Sequence, residues 1–407
     1  MAGKKQASSR GASKSTSTRP SQKPGPQQPA TTTQTPERAE SAEELRRQQT
    51  LLDVFSNTFR DVLGAADFSA QLQAVKTALF NRDFEGAFAR GEAALDVYAA
   101  RWSPTRALCY ARVLRGLDSH LKDLARNTSD HSSRSAVDRD AGDRDENAEV
   151  QPEDPTTATE HGGAERGAES RPLRILAIGG AAAEIVAFAD YISSHDNGTS
   201  PRVEVTLFDI GPWGSIVRRL HTALTSTPPI SRYASASARS ANKALVAAES
   251  LQSRFVQKDI LSLDEAELSA LISGQAMLIT LLFTLNELYT ASGIKRTTSF
   301  LRLLSALAPE NTLLLVIDSP GSYSEAAVGR DAKRYPMQWL LDHTLVPPAP
   351  NPRREMPGDA GEREPGCKWE KIESCDSVWF RVAEGLRYPI PLENMRYQMH
   401  LYRASIS

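Results

Sequence analysis

Apolar positions fall into three regimes along the chain. Leu52, Phe55, Phe59 and Val62 recur at the spacing of one helix face, and Leu72, Val75 and Leu79 repeat that pattern. Ser41-x-x-Glu44 reads as a capping box ahead of the first helix. A further helix should close over Asp96–Ala100, and Ser103-Pro104 reads as the N-cap and first-turn proline of the next. Residues 41–128 are therefore expected to form a small all-α domain.

From residue 171 short apolar runs alternate with helical patterns. Strands are expected at Arg174–Ile178, Val203–Phe208, Arg254–Lys258, Met277–Phe283 and Thr312–Ile317. Helices are expected at Glu184–Ser193, Ser215–Thr225 and Ala241–Leu251, with Ser262-x-x-Glu265 capping another. Such alternation predicts an α/β fold with a parallel sheet. The end of the chain differs, because Ser377–Val382 and Met395–Tyr402 can pair as an antiparallel hairpin. Met395, Tyr397, Met399 and Leu401 alternate with Arg396, Gln398 and His400, as in a strand with one buried face. Residues 171–407 are thus expected to form one Rossmann-like domain.

The third regime has no period. Residues 1–40 are Ser, Thr, Pro, Gln and Lys, too poor in apolar groups to offset ordering entropy, and are expected to be a disordered basic tail. Residues 129–170 read as a disordered acidic linker, and 346–366 as a mobile Pro- and Gly-rich loop inside the second domain.

Composition narrows the class. The 407 residues carry a net charge of −2, so nucleic-acid contact would need a local basic patch. Cys109, Cys367 and Cys375 form no CxxC pair, which argues against a disulfide scaffold or a Cys-built zinc site, and no metal is expected. No secretory signal and no apolar run of the ~18 residues that span a bilayer is present, so the protein is expected to be soluble and intracellular, without a membrane partner.

Candidate chemistry gathers at the C-terminal strand ends, where doubly wound sheets bind ligands. The first strand ends on Gly179-Gly180, which permits a tight turn and close backbone approach to a ligand. Glu184 fits the dipole of the following helix. Asp209, just past the second strand, suits the two hydroxyls of a ribose. Asp259 suits an adenine amino group, with Ile260 flanking the ring, although Asp259 fits an ordinary turn as well. These placements suit S-adenosylmethionine or NAD, but the turn lacks the G-x-G-x-x-G pattern of dinucleotide sites, and the terminal hairpin also points away from NAD.

Three motifs, Thr284-Leu-Asn-Glu-Leu-Tyr289, Asp318-Ser-Pro-Gly-Ser-Tyr323 and Tyr335-Pro-Met-Gln-Trp-Leu-Leu-Asp-His343, carry a resemblance. Together with Arg101-Trp-Ser-Pro-Thr-Arg106 and Glu393-Asn-Met-Arg-Tyr397, they are similar to the fungal large-subunit (25S) ribosomal RNA uridine-N3-methyltransferases, class I enzymes dependent on S-adenosylmethionine. The resemblance covers most of 70–407 outside the linker and loop. One departure stands out: the glycine turn continues Ala-Ala-Ala where class I enzymes commonly place a further glycine. The resemblance implies methyl transfer to N3 of a uridine in large-subunit ribosomal RNA or a pre-ribosomal particle, by a monomer in the nucleus or nucleolus and the cytoplasm. An NAD-dependent oxidoreductase and a catalytically silent assembly scaffold are the alternatives.

Uridine N3 carries a proton, so such an enzyme needs a base and donors to the uracil carbonyls. Asn286 is a candidate donor, Glu287 a candidate base and Asp318 its rival, each with a bland helix-start or turn role as the competing reading. Tyr289, Tyr323 and Tyr335 are candidates to stack on an extruded base, whereas Trp339 and Leu340-Leu341 read as core. Asp342-His343 is a weaker acid–base candidate. Arg101, Arg106, Lys295 and Arg296, together with Tyr323, are the candidate RNA contacts.

Overall fold

The computed structural model describes residues 41–81, 83, 88, 91–126, 171–195, 201–272, 274–321, 325–328, 333–346 and 368–405. The tail 1–40, the linker 129–170, Tyr323 and all but the first residue of the loop 346–366 lie outside the described residues.

The N-terminal part contains α1 (Ala42–Thr58), the single turn α2 (Arg60–Leu63), α3 (Phe68–Phe80), α4 (Glu92–Gly116) and α5 (118–126). Ser41 caps α1 by accepting the Glu44 N–H at 3.1 Å. The Glu44 carboxylate instead turns to Arg115, 2.5 Å away on α4, and ties the two helices together.

Helix α4 departs from the expected break at Ser103-Pro104 and runs unbroken through Pro104. A proline there has no N–H for the carbonyl four residues back. That carbonyl, Ala100 O, accepts the Tyr388 hydroxyl at 2.7 Å, so a distant residue replaces the missing bond.

The remainder comprises β1 (Leu173–Ile178), α6 (Ala182–Ser193), β2 (Val203–Asp209), α7 (Gly214–Thr225), α8 (Ala236–Ala241), β3 (Leu251–Gln257), α9 (Glu265–Ile272) and β4 (Leu278–Leu282). There follow α10 (Leu285–Ala291), α11 (Ile294–Leu307), β5 (Leu313–Asp318), β6 (Glu325–Val328), β7 (Lys333–Pro336), α12 (Met337–Leu345), β8 (Lys368–Phe380) and β9 (Met395–Ser405). Among the described residues seven strands form one sheet in the order β3-β2-β1-β4-β5-β9-β8. The first five are parallel, and β9 and β8 close the sheet antiparallel, as the α/β reading with a terminal hairpin expects.

Three local expectations are corrected. Residues 242–250 form no helix: the Leu245 and Val246 amides donate to the Leu224 carbonyl at the end of α7, and Leu251 is claimed by pairing with Val203. The capping box before α9 is Asp264–Glu267, not Ser262–Glu265, since Asp264 accepts the Glu267 N–H at 2.8 Å and Ser262 turns back to the Asp259 carbonyl. Strand β9 is buried on both faces, including Gln398 and His400, because helices cover both sides of the sheet. Burial holds the His400 imidazole down at about 4, so it is neutral, and it pairs with Ser374 at 2.9 Å.

One core runs from Leu52 and Phe55 on α1 through Tyr110 on α4 and Phe188 on α6 to Val205 and Leu315 in the sheet. Helix α4 packs on α6, and α1 on α4 and α7. The opposite face is covered by α9, α10, α11 and α12.

Candidate functional site

The site is built at the C-terminal ends of β1, β2, β4 and β5. The chain leaves β1 through Gly179 at φ +69°, a left-handed conformation that suits glycine. A Cβ on Gly179 would lie 2.2 Å from Thr284 Oγ1, and one on Gly180 would lie 2.6 Å from the Ala177 Cβ. The Thr284 hydroxyl donates to the Ile178 carbonyl at 3.1 Å and seats the β4 end against this turn. Glu184 then reaches back to accept the Ala181 N–H at 2.8 Å. Its carboxyl is buried, which pushes its pKa up against the pull of that amide and of Arg106.

Asp209 ends β2 with one oxygen accepting the Gly211 N–H at 2.6 Å. Burial raises its pKa to about 7 and the nearby Glu184 adds to this, while the Gly211 amide and the Trp213 indole oppose it. Across the cleft, Glu287 sits in the first turn of α10, half-buried. Burial pushes its carboxyl up to about 8 despite Arg106, and Asp209 and Asp318 push in the same direction.

Asp318 is 2% exposed, and its two oxygens accept the Asn286 N–H at 2.9 Å and the Ser319 N–H at 2.7 Å. Its carboxylate thus anchors the start of α10 to the end of β5, which places Glu287. Asn286 stands beside Glu287 at the same helix start.

Arg106 is the cation of the site, and it comes from the helical layer. It donates to the Tyr98 hydroxyl at 2.5 Å and lies over the Phe283 ring at 5.0 Å and the Tyr98 ring at 5.6 Å. Phe283, the residue after β4, sits at φ +60°, a costly conformation for a bulky residue, with its ring beneath the guanidinium. Burial opposes the Arg106 charge, but Tyr98, Tyr110, Glu287 and Glu184 hold it protonated. Tyr98 also packs on Trp213, joining this wall to the Asp209 turn.

Several candidates fall elsewhere. Arg101 is buried against Glu393, whereas Arg106 is half-buried with its guanidinium turned to Tyr98 and Phe283. Lys295 is exposed at the start of α11. Arg296 is half-exposed but paired with Asp259 at 3.0 Å, whose other oxygen accepts the Leu261 N–H at 2.9 Å. Ile260 lies in the core with one face toward this turn. Tyr289 is buried as packing, and Asp342 is taken by Lys371 at 2.6 Å and the Tyr402 hydroxyl at 2.7 Å. Trp339, read from the sequence as core, is 51% exposed. Tyr98 and Trp213 escaped the sequence reading, and Thr284 and Phe283 entered it only as the head of a motif and the end of a strand. Only the glycines flanking Trp213 hinted at a built turn.

Together, the glycine turn, three carboxylates with raised pKa values and one half-buried arginine form a cleft with an excess of acid. Such a cleft suits a ligand with hydroxyls and a positive charge. A family described as "Putative SAM-dependent methyltransferase" matches residues 55–403. A 25S rRNA (uridine(2843)-N(3))-methyltransferase of Saccharomyces cerevisiae is 29% identical over 378 residues, covering 87% of this chain and 85% of the relative. A SAM-dependent methyltransferase of Methanosarcina mazei overlaps 58% of this chain and 94% of its own at 10% identity and a TM-score of 0.31. The N-methyltransferase NodS of Bradyrhizobium japonicum, solved with S-adenosyl-L-homocysteine, overlaps 57% and 78% at 10% identity and a TM-score of 0.27. On the strength of the match across 55–403, the chain belongs to the SAM-dependent methyltransferase family.

Proposed function

We propose that the protein methylates N3 of a uridine in large-subunit ribosomal RNA. The observation that carries this reading is the 29% identity to the yeast uridine-N3-methyltransferase over an alignment covering 87% of the chain. The site is consistent with it. When bound, S-adenosylmethionine supplies an electrophilic methyl group on a cationic sulfonium. The backbone of Gly179 and Gly180 would hold its amino-acid end, and Asp209 has a carboxylate oxygen beyond the one bonded to Gly211 for the ribose hydroxyls. Asp259 with Ile260 would border the adenine, provided Asp259 shares its oxygen with Arg296.

Glu287 is the assigned base. It is half-buried at the strand-four end, and a pKa of about 8 is well matched to taking a proton near neutral pH. Arg106 beneath it favours the ionised carboxylate, and Asn286 beside it can donate to a uracil carbonyl. Asp318 holds this helix start in place through the Asn286 amide. On this reading the protein works as a monomer on pre-ribosomal particles, in the nucleolus and the cytoplasm.

The test uses purified protein, S-adenosylmethionine and large-subunit RNA from cells lacking the enzyme, with nucleosides quantified by mass spectrometry. The product should be 3-methyluridine, and Glu287→Gln should lower turnover roughly 10²- to 10⁴-fold, far more than it changes cofactor affinity. Any other methylated nucleoside, or none, would overturn the substrate assignment. Near-normal turnover by the Gln variant would remove Glu287 as the base.

A further inference from the structure

The motif from Tyr335 to His343 is not used by the cofactor cleft. On its helix α12, Met337, Leu341 and Leu345 face the core, and Asp342 fastens the helix to β8 and β9 through Lys371 and Tyr402. The other side of the helix carries a ladder of rings. Tyr335 and Trp339 stack at 5.1 Å with 20° between planes, and Trp339 and His343 follow at 5.3 Å and 31°. The ladder starts where the β6–β7 hairpin leaves the ligand edge of the sheet. It runs away from that edge, since Asp342 meets Tyr402, whose partner Leu314 lies near the start of β5.

A second exposed tryptophan lies on the same side. Val378 and Phe380 pack toward the helical layer, so strand alternation turns Trp379 to the α12 side. Trp379 is 55% exposed. It pairs with Arg396, two positions past Gln398, the partner of Asp318, and so stands at the ligand edge. The Arg396 guanidinium lies 6.0 Å from the Trp379 ring and is held by Ser377 at 2.7 Å. Gln338 of α12 reaches Asp376 of β8 at 3.4 Å, which ties the two elements together there.

Two half-exposed tryptophans on one rigid face, with a guanidinium beside one ring and Lys295 exposed at the start of the neighbouring α11, match one chemistry. Unpaired bases stack on aromatic rings while their phosphates meet cations. We propose that this face, carrying Trp339, Trp379 and Arg396, binds an unpaired stretch of RNA beside the target nucleotide. This rests on the RNA-methyltransferase reading above and extends it from the reacting atom to the surface that holds the strand.

The test measures binding of the full chain to a fluorescein-labelled 20-nucleotide single-stranded RNA rich in uridine, and to the same sequence as a duplex, by anisotropy at several salt concentrations. Trp379→Ala should weaken single-strand binding roughly 5- to 150-fold, the effect of losing one stacked base, and Trp379→Phe should restore most of it. Trp339, with its faces against Tyr335 and His343, presents only its edge, and its Ala variant should cost less. Arg396→Gln should lower the slope of log affinity against log salt by about 1. Cofactor affinity by calorimetry and melting temperature should stay at wild-type values. Wild-type single-strand binding by Trp379→Ala would overturn the proposal while leaving the methyltransferase reading intact. So would a loss that Phe fails to rescue and that tracks a lower melting temperature. If the wild-type chain binds neither RNA, the substrate reading falls with it.

Discussion

Asp209 and Glu287 hold carboxyl groups whose pKa values are raised to about 7 and about 8. In the unfolded chain both return to ordinary carboxylate values near 4. The folded state therefore retains protons that the unfolded state releases. Their contribution to stability is complete below about pH 4 and is lost as pH climbs through about 7 and 8. Melting temperature should fall across that window, and Glu287→Gln should flatten the decline. Ligand binding should run the other way, because a cation in the cleft favours the ionised carboxylates. S-adenosylmethionine affinity should rise with pH between about 6.5 and 8.5, with proton release near pH 7 detectable by calorimetry in buffers of different ionisation enthalpy. No release, or release unchanged in Glu287→Gln, would place the cation away from Glu287. A carboxyl group and its position after a strand are visible in the sequence. Its raised pKa is not, because burial and neighbouring charge come from other elements.

At the scale of elements, α4 shows a local signal overridden by a distant one. Ser103-Pro104 has the appearance of a helix start, yet the helix continues because Tyr388 supplies the donor that proline lacks. Removing that hydroxyl with Tyr388→Phe should cost about 1–3 kcal/mol, the usual penalty for leaving a buried polar group unpaired. In a Pro104→Ala background the restored amide serves the same carbonyl, so the Phe substitution should cost much less. Denaturant titration of the four proteins measures the coupling, and additive effects would show that the Tyr388 bond does not serve this carbonyl. The false helix at 242–250 has a related cause. Its alanines suit a helix, but the Leu224 carbonyl at the end of α7 draws the Leu245 and Val246 amides instead. Long periodic elements such as α1 and the five parallel strands were legible because their burial pattern repeats locally.

For the whole molecule, the consequence of the shared core is that the helical layer completes the sheet. Leu52, Phe55 and Tyr110 belong to the same core as Phe188 and Leu315, and Arg106 of that layer enters the cleft. A fragment of residues 171–407 would expose the outer faces of α6 and α7, a large apolar surface for an isolated domain. It should aggregate or melt without a cooperative transition, whereas a fragment beginning at Ser41 should melt cooperatively. A soluble, cooperatively melting 171–407 fragment with normal cofactor affinity would contradict this dependence.

The sequence by itself determined the order of strands and helices, the closing hairpin, and the acids and glycines at the strand ends. Each of these is written in short-range periodicity and turn chemistry, where side-chain patterning acts within a few residues. Tertiary structure alone decided which of those residues share a site. Arg106, more than 70 residues before the first strand-end glycine, reaches the cleft because α4 packs on α6. Asp318 became an anchor because the α10 amide of Asn286 lies beside it. Trp339 stayed at the surface because α12 turns Leu341 and Leu345 inward. The charge on a carboxylate and the exposure of a ring depend on what packs against them, and long-range contacts decide both.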